Sequence, residues 1–472
     1  MLLCVLLGCA LKVPELPPAA IDIQPFRSTV DWSSVEEEAA QLLSAYVQVD
    51  TTNPPGNETL GAEFLGQVLD QAGISYEIHE SSPGRGNLIA RLEGDGTEKP
   101  LCLLSHIDVV TAEPEKWPAE QQPLSGSISD GYVWGRGALD MKGMGIMELM
   151  TVLLLKRQAV PLKRDVILIA VADEEVGGEG IQYLVNNYWD YLDCGQLINE
   201  GGLGLKDMLF EGQTVYPISV GEKGSLWLKM TAHGEAGHGS TPRPNEAPLY
   251  LLEALDALKA RPIETDLSPA METFLASVGA HKGGVAGYVM KRPTLANRLV
   301  KPKLMDNPLT RAAVINTVHL TGLDGSNKPN VVPSEVSALL DCRLQPNVKP
   351  EEFLDWLKTM VGPQIEFEVL GSQQGNLSDW DDPLYRALAR AATENEPNSV
   401  AGPVISVGFT DSIHVRPKGT KAYGFVPVRL SAEDMTGFHG AQERLSVSEL
   451  GLGVKKLYSA VLEVSVKSDT ES

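Results

Sequence analysis

Cysteine is scarce. The five present, Cys4, Cys9, Cys102, Cys194 and Cys342, are scattered through 472 residues without the paired spacing of a thiolate metal site. They outline no disulfide framework either. Basic residues are outnumbered, 39 Lys and Arg against 62 Asp and Glu, a formal net charge of −23. Nucleic acids and anionic membranes are bound mainly through basic patches, so neither is expected as a partner. No apolar run is long enough to span a bilayer, and heptads, repeats and low-complexity blocks are missing. What is present is 43% hydrophobic and 21% charged. That is too apolar for a disordered chain and sufficient for one or two substantial cores, with length alone suggesting about three domains.

The first 13 residues, MLLCVLLGCALKV, are apolar but too few to cross a membrane. Leu6-Leu7-Gly8-Cys9 resembles a bacterial lipoprotein cleavage box, in which the cysteine becomes the lipidated first residue. The basic residue that should precede the apolar stretch of a secretion signal is missing. Pro14, Pro17, Pro18 and Pro25 then suit an extended tether over residues 10–30. The expectation is a cell-envelope lipoprotein carrying lipid on Cys9, or a periplasmic protein. A frayed cytoplasmic N-terminus is the competing reading.

Folding is expected to begin at Ser33 or Ser34, each with a glutamate three residues on, as in a capping box. A second helix runs from Glu58 towards Gly73. Short apolar runs follow at Leu88 to Ala90, Leu101 to Leu104, Val166 to Ala172 and Leu197-Ile198, with helical stretches such as Gly145 to Gln158 between them. Continuous apolar strands alternating with helices predict an α/β fold, a mostly parallel sheet flanked by helices. From 221 to 372 the pattern changes. Strand-like runs (Ser225 to Ala232, Ala313 to Leu320, Val336 to Leu344) accompany helices near Pro248 to Lys259 and Glu351 to Met360, which reads as an inserted α+β unit. Residues 31–220 and 373–466 then form the main domain, and 467–472 a loose tail.

Several strand ends supply carboxylate or imidazole. His106 and Asp108 close the run from Leu101, and residues two apart in a strand point the same way, so Asp108 can orient the His106 ring. Asp140 sits at the corner of a glycine-rich turn leading into a helix, where it could equally be a helix cap. Glu174 and Glu175 follow the apolar run from Val166, and Glu200 follows Leu197-Ile198. Ligands bind such sheets outside the carboxyl ends of the strands. Far along the chain, His439 adds an imidazole near Glu443. Taken singly, each of these has a structural reading as good as the chemical one.

Together, in order and spacing, they resemble the co-catalytic zinc exopeptidases and amidohydrolases. That family includes carboxypeptidase G, carboxypeptidase S, aminoacylase, acetylornithine deacetylase and succinyl-diaminopimelate desuccinylase. Thr52-Asn-Pro-Pro-Gly-Asn-Glu58, Trp134-Gly-Arg-Gly, Gly237-His238-Gly-Ser-Thr-Pro242, Asn330-Val-Val-Pro333, Asp341-Cys-Arg343 and Gly408-Phe-Thr-Asp411-Ser412 extend the match over residues 35 to 465. The resemblance implies two zinc ions, with cobalt or manganese as possible substitutes. His106, Asp140 and Glu200 would hold one ion, and Asp140, Glu175 and His439 the other. It also implies Glu174 as general base and Asp108 behind His106. His238, on an inserted lid and dimerisation domain, would stabilise the oxyanion, reaching the neighbouring subunit's site in a homodimer. Asn330, Arg343, Gly408 and Thr410 would face substrate, Arg343 suiting a free carboxylate.

The expected reaction is hydrolysis of an amide bond beside a free carboxylate, in a small peptide or an N-acyl amino acid. The long stretch between Arg261 and Val331 brings the chain nearer the carboxypeptidase S and aminoacylase branch. A metal-dependent peptide- or amino-acid-binding protein without turnover is the alternative. The intact Glu174 counts against it, since binding needs the ligands but no spare base.

Overall fold

The structure, a computed structural model, describes residues 10, 11, 16–19, 21–261 and 266–467. Cys4, the Cys9 lipidation box and residues 468–472 of the expected tail lie outside the described residues. The main sheet begins with β1 (Tyr76–Glu80), β2 (Gly86–Leu92), β3 (Leu101–His106), β4 (Val166–Val171), β5 (Gln196–Lys206) and β6 (Thr214–Glu222). The chain then leaves for a second sheet of β7 (Gly224–His233), β8 (Thr317–Asp324), β9 (Glu335–Leu344) and β10 (Ile365–Gln373). It returns through β11 (Asn376–Leu377), β12 (Ser399–Ser406) and β13 (Lys421–Leu430).

Across the main sheet the order is β11-β6-β13-β5-β3-β4-β2-β1, with β12 paired to β6. The four central strands β13, β5, β3 and β4 run parallel. The outer strands β2 and β1 on one side and β6 on the other run antiparallel to their inner neighbours, so the whole sheet is mixed. The centre is apolar on both faces. Leu101, Leu103, Val166 and Leu168 point to one core, while Cys102, Leu104, Ile167 and Ile169 point to another. The first face is covered by α1 (Trp32–Val47), α2 (Glu58–Gln71) and α3 (Lys142–Arg157), the second by α4 (Glu179–Asn187). Burying each large aliphatic side chain contributes roughly 1.5–3 kcal/mol, which fixes the register that sets the strand ends side by side.

The second sheet is antiparallel throughout, in the order β8-β9-β7-β10. The helices α5 (Ala247–Lys259) and α7 (Pro350–Val361) cover one face, over Leu226, Leu228, Met230, Leu340 and Leu344. Between them, α6 (Pro269–Lys282) belongs elsewhere. Its Met271, Phe274, Leu275 and Val278 share a core with Val215 of β6 and Val400 of β12. Part of the stretch between 221 and 372 therefore packs on the main sheet.

Other differences from the sequence reading have local causes. Helix α1 is capped by Asp31, whose carboxylate accepts from the backbone N–H of Ser33 (3.1 Å) and Ser34 (3.4 Å); those serines lie in the first turn rather than at the cap. Ala313 and Val314 end a short helix, Pro308–Val314, and the strand starts only at Thr317. The proline-rich segment is no free tether where it is described. Ile21, Ile23, Phe26 and Val30 pack on the main core, and Arg27 pairs with Glu394 at 2.7 Å.

The cysteines need a correction too. Cys102 on β3 and Cys194, two residues ahead of β5, form a disulfide with a Cα–Cα distance of 5.8 Å. Pairing of the neighbouring strands β3 and β5 brings together two residues 92 apart in sequence, which their spacing alone could not reveal.

Candidate metal centre

Register places the functional groups. His106 ends β3 opposite Val171 of β4, and the turn beyond Val171 carries Glu174 and Glu175. Ile198 of β5 pairs with Leu103, so Glu200 stands two residues further along, at the same end of the sheet. The Glu174-Glu175 turn is folded tightly by Asp173, which has φ +72° and whose carbonyl accepts from the backbone N–H of Gly177 (3.0 Å) and Gly178 (2.6 Å). Asp140 comes from the turn before α3. Gly135 opens that turn with φ +144°, and a Cβ there would stand 2.3 Å from Val47 Cγ1, so only glycine fits.

Asp140 lies between two imidazoles. His106 Nε2 is 3.3 Å from its Oδ1, and His439 Nε2 is 3.1 Å from its Oδ2. Glu200 reaches to 3.9 Å of His106 Nε2, and Glu175 Oε1 to 3.5 Å of His439 Nε2. Ligand atoms of His106, Asp140 and Glu175 all lie within 4.8 Å of one another, as do those of His106, Glu174 and Glu200. Hydrogen bonds from both histidines outweigh burial and hold the Asp140 carboxyl well below the usual range. Burial, then the charge of Asp140, pushes Glu200 up to about 8. Burial, then the charge of Glu200, raises Glu174. Burial would depress His106, but Asp108 and Asp140 raise it. Hydrogen bonds to Asp140 and Glu175 push His439 up to about 10.

The chemistry of this donor set suits divalent cations. Imidazole and carboxylate without thiolate fit zinc, cobalt or manganese. Crowded carboxylates also repel one another unless cations lie between them. Glu175 Oε1 is buried, and its one polar neighbour among the described residues is His439 Nε2 at a long 3.5 Å, which leaves the oxygen largely open to a ligand.

Asp108 does more than face His106. The imidazole Nδ1 lies 2.9 Å from the Asp108 carbonyl oxygen, with the carboxylate further away at 3.5 Å. That carboxylate accepts instead from the backbone N–H of Glu174 (3.1 Å) and Glu175 (3.2 Å) and from Asn53 Nδ2 (2.8 Å). It thereby ties the end of β3 to the two-glutamate turn. Arg85 supports the same turn, bridging Glu58 (2.7 Å) and Asp173 (2.6 Å).

The sequence reading assigned no role to Glu443. This fully buried carboxylate accepts from Arg136 Nη1 (2.7 Å) and from the backbone N–H of Leu139 (2.9 Å) and Asp140 (3.1 Å). Arg136 Nη2 also donates to the His439 carbonyl at 3.1 Å. One ion pair therefore fixes the backbone of both Asp140 and His439. Its only signal in sequence was the position of Glu443 four residues after His439.

The substrate-side residues are dispersed. Arg343 on β9 is engaged by Asp341 (2.8 and 3.1 Å) and stacks 4.5 Å above the Phe409 ring of the main domain. Gly408 borders open space, with no atom within 4 Å of where a Cβ would stand. Thr410 is buried, and its hydroxyl donates to Glu222 at 2.6 Å. Glu222 also receives Arg416 Nη1 at 3.1 Å, and the same nitrogen donates to Asn376 Oδ1 at 3.1 Å. This buried hub joins the two places where the chain passes between the sheets, at 222–224 and 373–376, to the Gly408–Ser412 loop. His238 and Asn330 sit together, Gly239 N–H donating to the Asn330 carbonyl at 2.9 Å. Both are exposed, and among the described residues no hydrogen bond or ion pair links either to the carboxylate cluster.

The sequence profile of Peptidase family M20/M25/M40 matches residues 102–463, which carry every residue of the cluster. The chain belongs to the M20 family. Human N-fatty-acyl-amino acid synthase/hydrolase PM20D1 is 28% identical over 450 residues, covering 91% of this chain and 88% of its own. Probable carboxypeptidase S-like 2 of Dictyostelium discoideum is 28% identical over 75% of this chain and 69% of its own. Rat aminoacylase-1A is 27% identical over 83% of this chain and 88% of its own. Among solved structures, the M20 metallo-carboxypeptidase Sso-CP2 of Sulfolobus solfataricus superposes with a TM-score of 0.64 at 17% identity, over 90% of this chain and 99% of that one, a likeness of fold. As an M20 member this chain is a metal-dependent hydrolase of amide or peptide bonds.

Proposed function

We propose that the chain hydrolyses the amide bond of N-acyl amino acids or small peptides beside a free carboxylate, using two zinc-type ions and Glu174 as general base. The observation that carries this reading is Asp140, whose two oxygens face two different histidines, the disposition of a bridging ligand. His106 and Glu200 would complete one position, Glu175 and His439 the other. Bound there, the two ions would supply Lewis acidity and lower the pKa of water towards neutrality. Glu174, held in place through its own backbone by Asp108, is suited to accept the water's proton and pass it to the leaving amine. Arg343 would hold the substrate carboxylate with the guanidinium edge that Asp341 leaves over. His238 is exposed, free to serve a neighbouring subunit in a two-fold dimer.

The test is release of free amino acid from a panel of N-acyl amino acids and dipeptides, with and without added zinc, alongside elemental analysis. Metal-dependent release and more than one equivalent of metal per chain are expected. Glu174→Gln should keep the metals and lose most of kcat. A metal maximum of one equivalent, or normal turnover in Glu174→Gln, would overturn the reading.

A further inference from the structure

The long stretch after Arg261 has no part in the metal centre. Its inner side is firmly anchored, because α6 buries Met271, Phe274, Leu275 and Val278 against the edge of the main sheet. The chain then reverses at Gly283-Gly284, both with positive φ, into a short helix, Gly284–Met290. The two helices touch through glycine: a Cβ on Gly287 would lie 2.1 Å from the Gly279 carbonyl oxygen. A rigid hairpin results. Its outer side is apolar, with Val285 82% exposed, Tyr288 44% and, just beyond, Leu299 51%.

The charge of this segment is opposite to that of the chain. Residues 273–305 hold six Lys and Arg and no Asp or Glu, within a chain of net charge −23. Among the described residues, Lys282, Lys291, Arg292, Arg298 and Lys303 form no ion pair with an acidic side chain. Two of them lie on aromatic rings instead, Lys282 Nζ 4.4 Å over Phe210 and the Arg292 guanidinium 3.5 Å over Tyr288. The N-terminal segment comes to the same place, since Leu11 N–H donates to the Lys291 carbonyl at 2.7 Å. The ten residues that precede Leu11 in sequence are apolar.

We propose that this hairpin is a docking surface for an anionic lipid bilayer. Exposed aliphatic and tyrosine side chains among cations are what the headgroup boundary of such a bilayer accepts. The whole-chain charge does not oppose it at contact. Fields from distant carboxylates are screened over about 8 Å at physiological salt, so the local sign decides. Asp266 and Glu272 line the same recess as Arg298, but none of the five cations is held in an ion pair among the described residues, so each contributes about fivefold in affinity near an anionic surface.

Sedimentation of the full chain with vesicles tests this, using phosphatidylcholine alone or mixed with phosphatidylglycerol. Binding is expected only to the anionic vesicles and should fall steeply with added salt. The combined variant Lys282→Glu, Lys291→Glu, Arg292→Glu, Lys303→Glu should lower binding by at least a hundredfold, and the corresponding Gln set by less. Val285→Ser with Tyr288→Ser should weaken it by about tenfold. All these positions lie outside the metal centre, so hydrolysis of a soluble substrate and circular dichroism should match the parent. Equal binding to neutral vesicles, or undiminished binding of both the Glu and Gln variants with the apolar N-terminus intact, would overturn the proposal. So would self-association of the parent that the same substitutions abolish, since a second copy would then own the surface.

Discussion

Removing the Glu443 carboxylate should cost both stability and metal affinity, in amounts the geometry allows to be separated. In Glu443→Ala the Arg136 guanidinium, 3% exposed, is left in the core without its partner, and the N–H groups of Leu139 and Asp140 lose their acceptor. Breaking a buried ion pair from one side costs about 3–5 kcal/mol, much of it the unpaired charge. Urea unfolding of the metal-free protein should therefore show a loss of that size. Because the pair fixes the backbone of Asp140 and His439, the proposed ligands, metal affinity should fall by roughly 10–100-fold, measured by competition with a chromogenic chelator. Glu443→Gln retains one acceptor oxygen and should fall between parent and alanine. Removing Arg136 as well should return part of the stability, since no buried charge is then stranded, but none of the metal affinity. A Glu443→Ala protein within about 1 kcal/mol of the parent and with parental metal affinity would refute the reasoning.

Replacing Cys102 and Cys194 together with alanine should lower stability by up to about 4–5 kcal/mol, the loop-entropy value for a closure of this length, checked by thermal unfolding with and without reductant. Lys223 is buried, its ammonium donating to the carbonyls of Ala312 (3.0 Å) and Ile315 (2.8 Å), and burial pushes its pKa down to about 8 from 10.5. The folded state releases that proton first, so the parent should gain stability relative to Lys223→Met as pH rises from about 8 to 10.5; a flat difference would show that the lysine titrates normally. Glu222→Ala should raise KM and leave metal content unchanged, because it frees Thr410 and Arg416 without touching a ligand, and kinetics beside elemental analysis would show it.

Four of the clustered groups were legible as candidates because each lies at or just beyond the end of a strand's apolar run, which announces it, whereas Asp140 and His439, on turns, stood out only through the family resemblance. His106, Glu174, Glu175 and Glu200 need only the parallel centre of the sheet to converge, and that centre was written in the continuous apolar runs. Their supports were not legible. Glu443 meets Arg136 across 307 residues and Thr410 meets Glu222 across 188, contacts that no local period encodes. The disulfide was hidden for the same reason. The cap of α1 was missed through a rival signal, since Ser33 and Ser34 offered a capping box while Asp31, just ahead of them, accepts from the first free N–H groups. At the hairpin, averaging charge over the whole chain concealed a segment of the opposite sign.

The hub of Glu222, Arg416, Asn376 and Thr410 bears on how such a protein can be rebuilt. A designer exchanging the second sheet for that of a relative would cut the chain at its two crossings, near 223 and 374. Just outside those cuts stand Glu222 and Asn376, whose partners Thr410 and Arg416 belong to the main sheet's own half. A graft that reached one or two residues further and replaced them would leave Arg416 buried and unpaired beneath the loop that bears Asp411. The exchangeable module therefore ends inside residues 223–374, and the hub with the loop from Gly408 to Arg416 stays with the main sheet. Chimeras that keep Glu222 and Asn376 should fold and retain turnover, while those that replace either should fold with a misplaced loop.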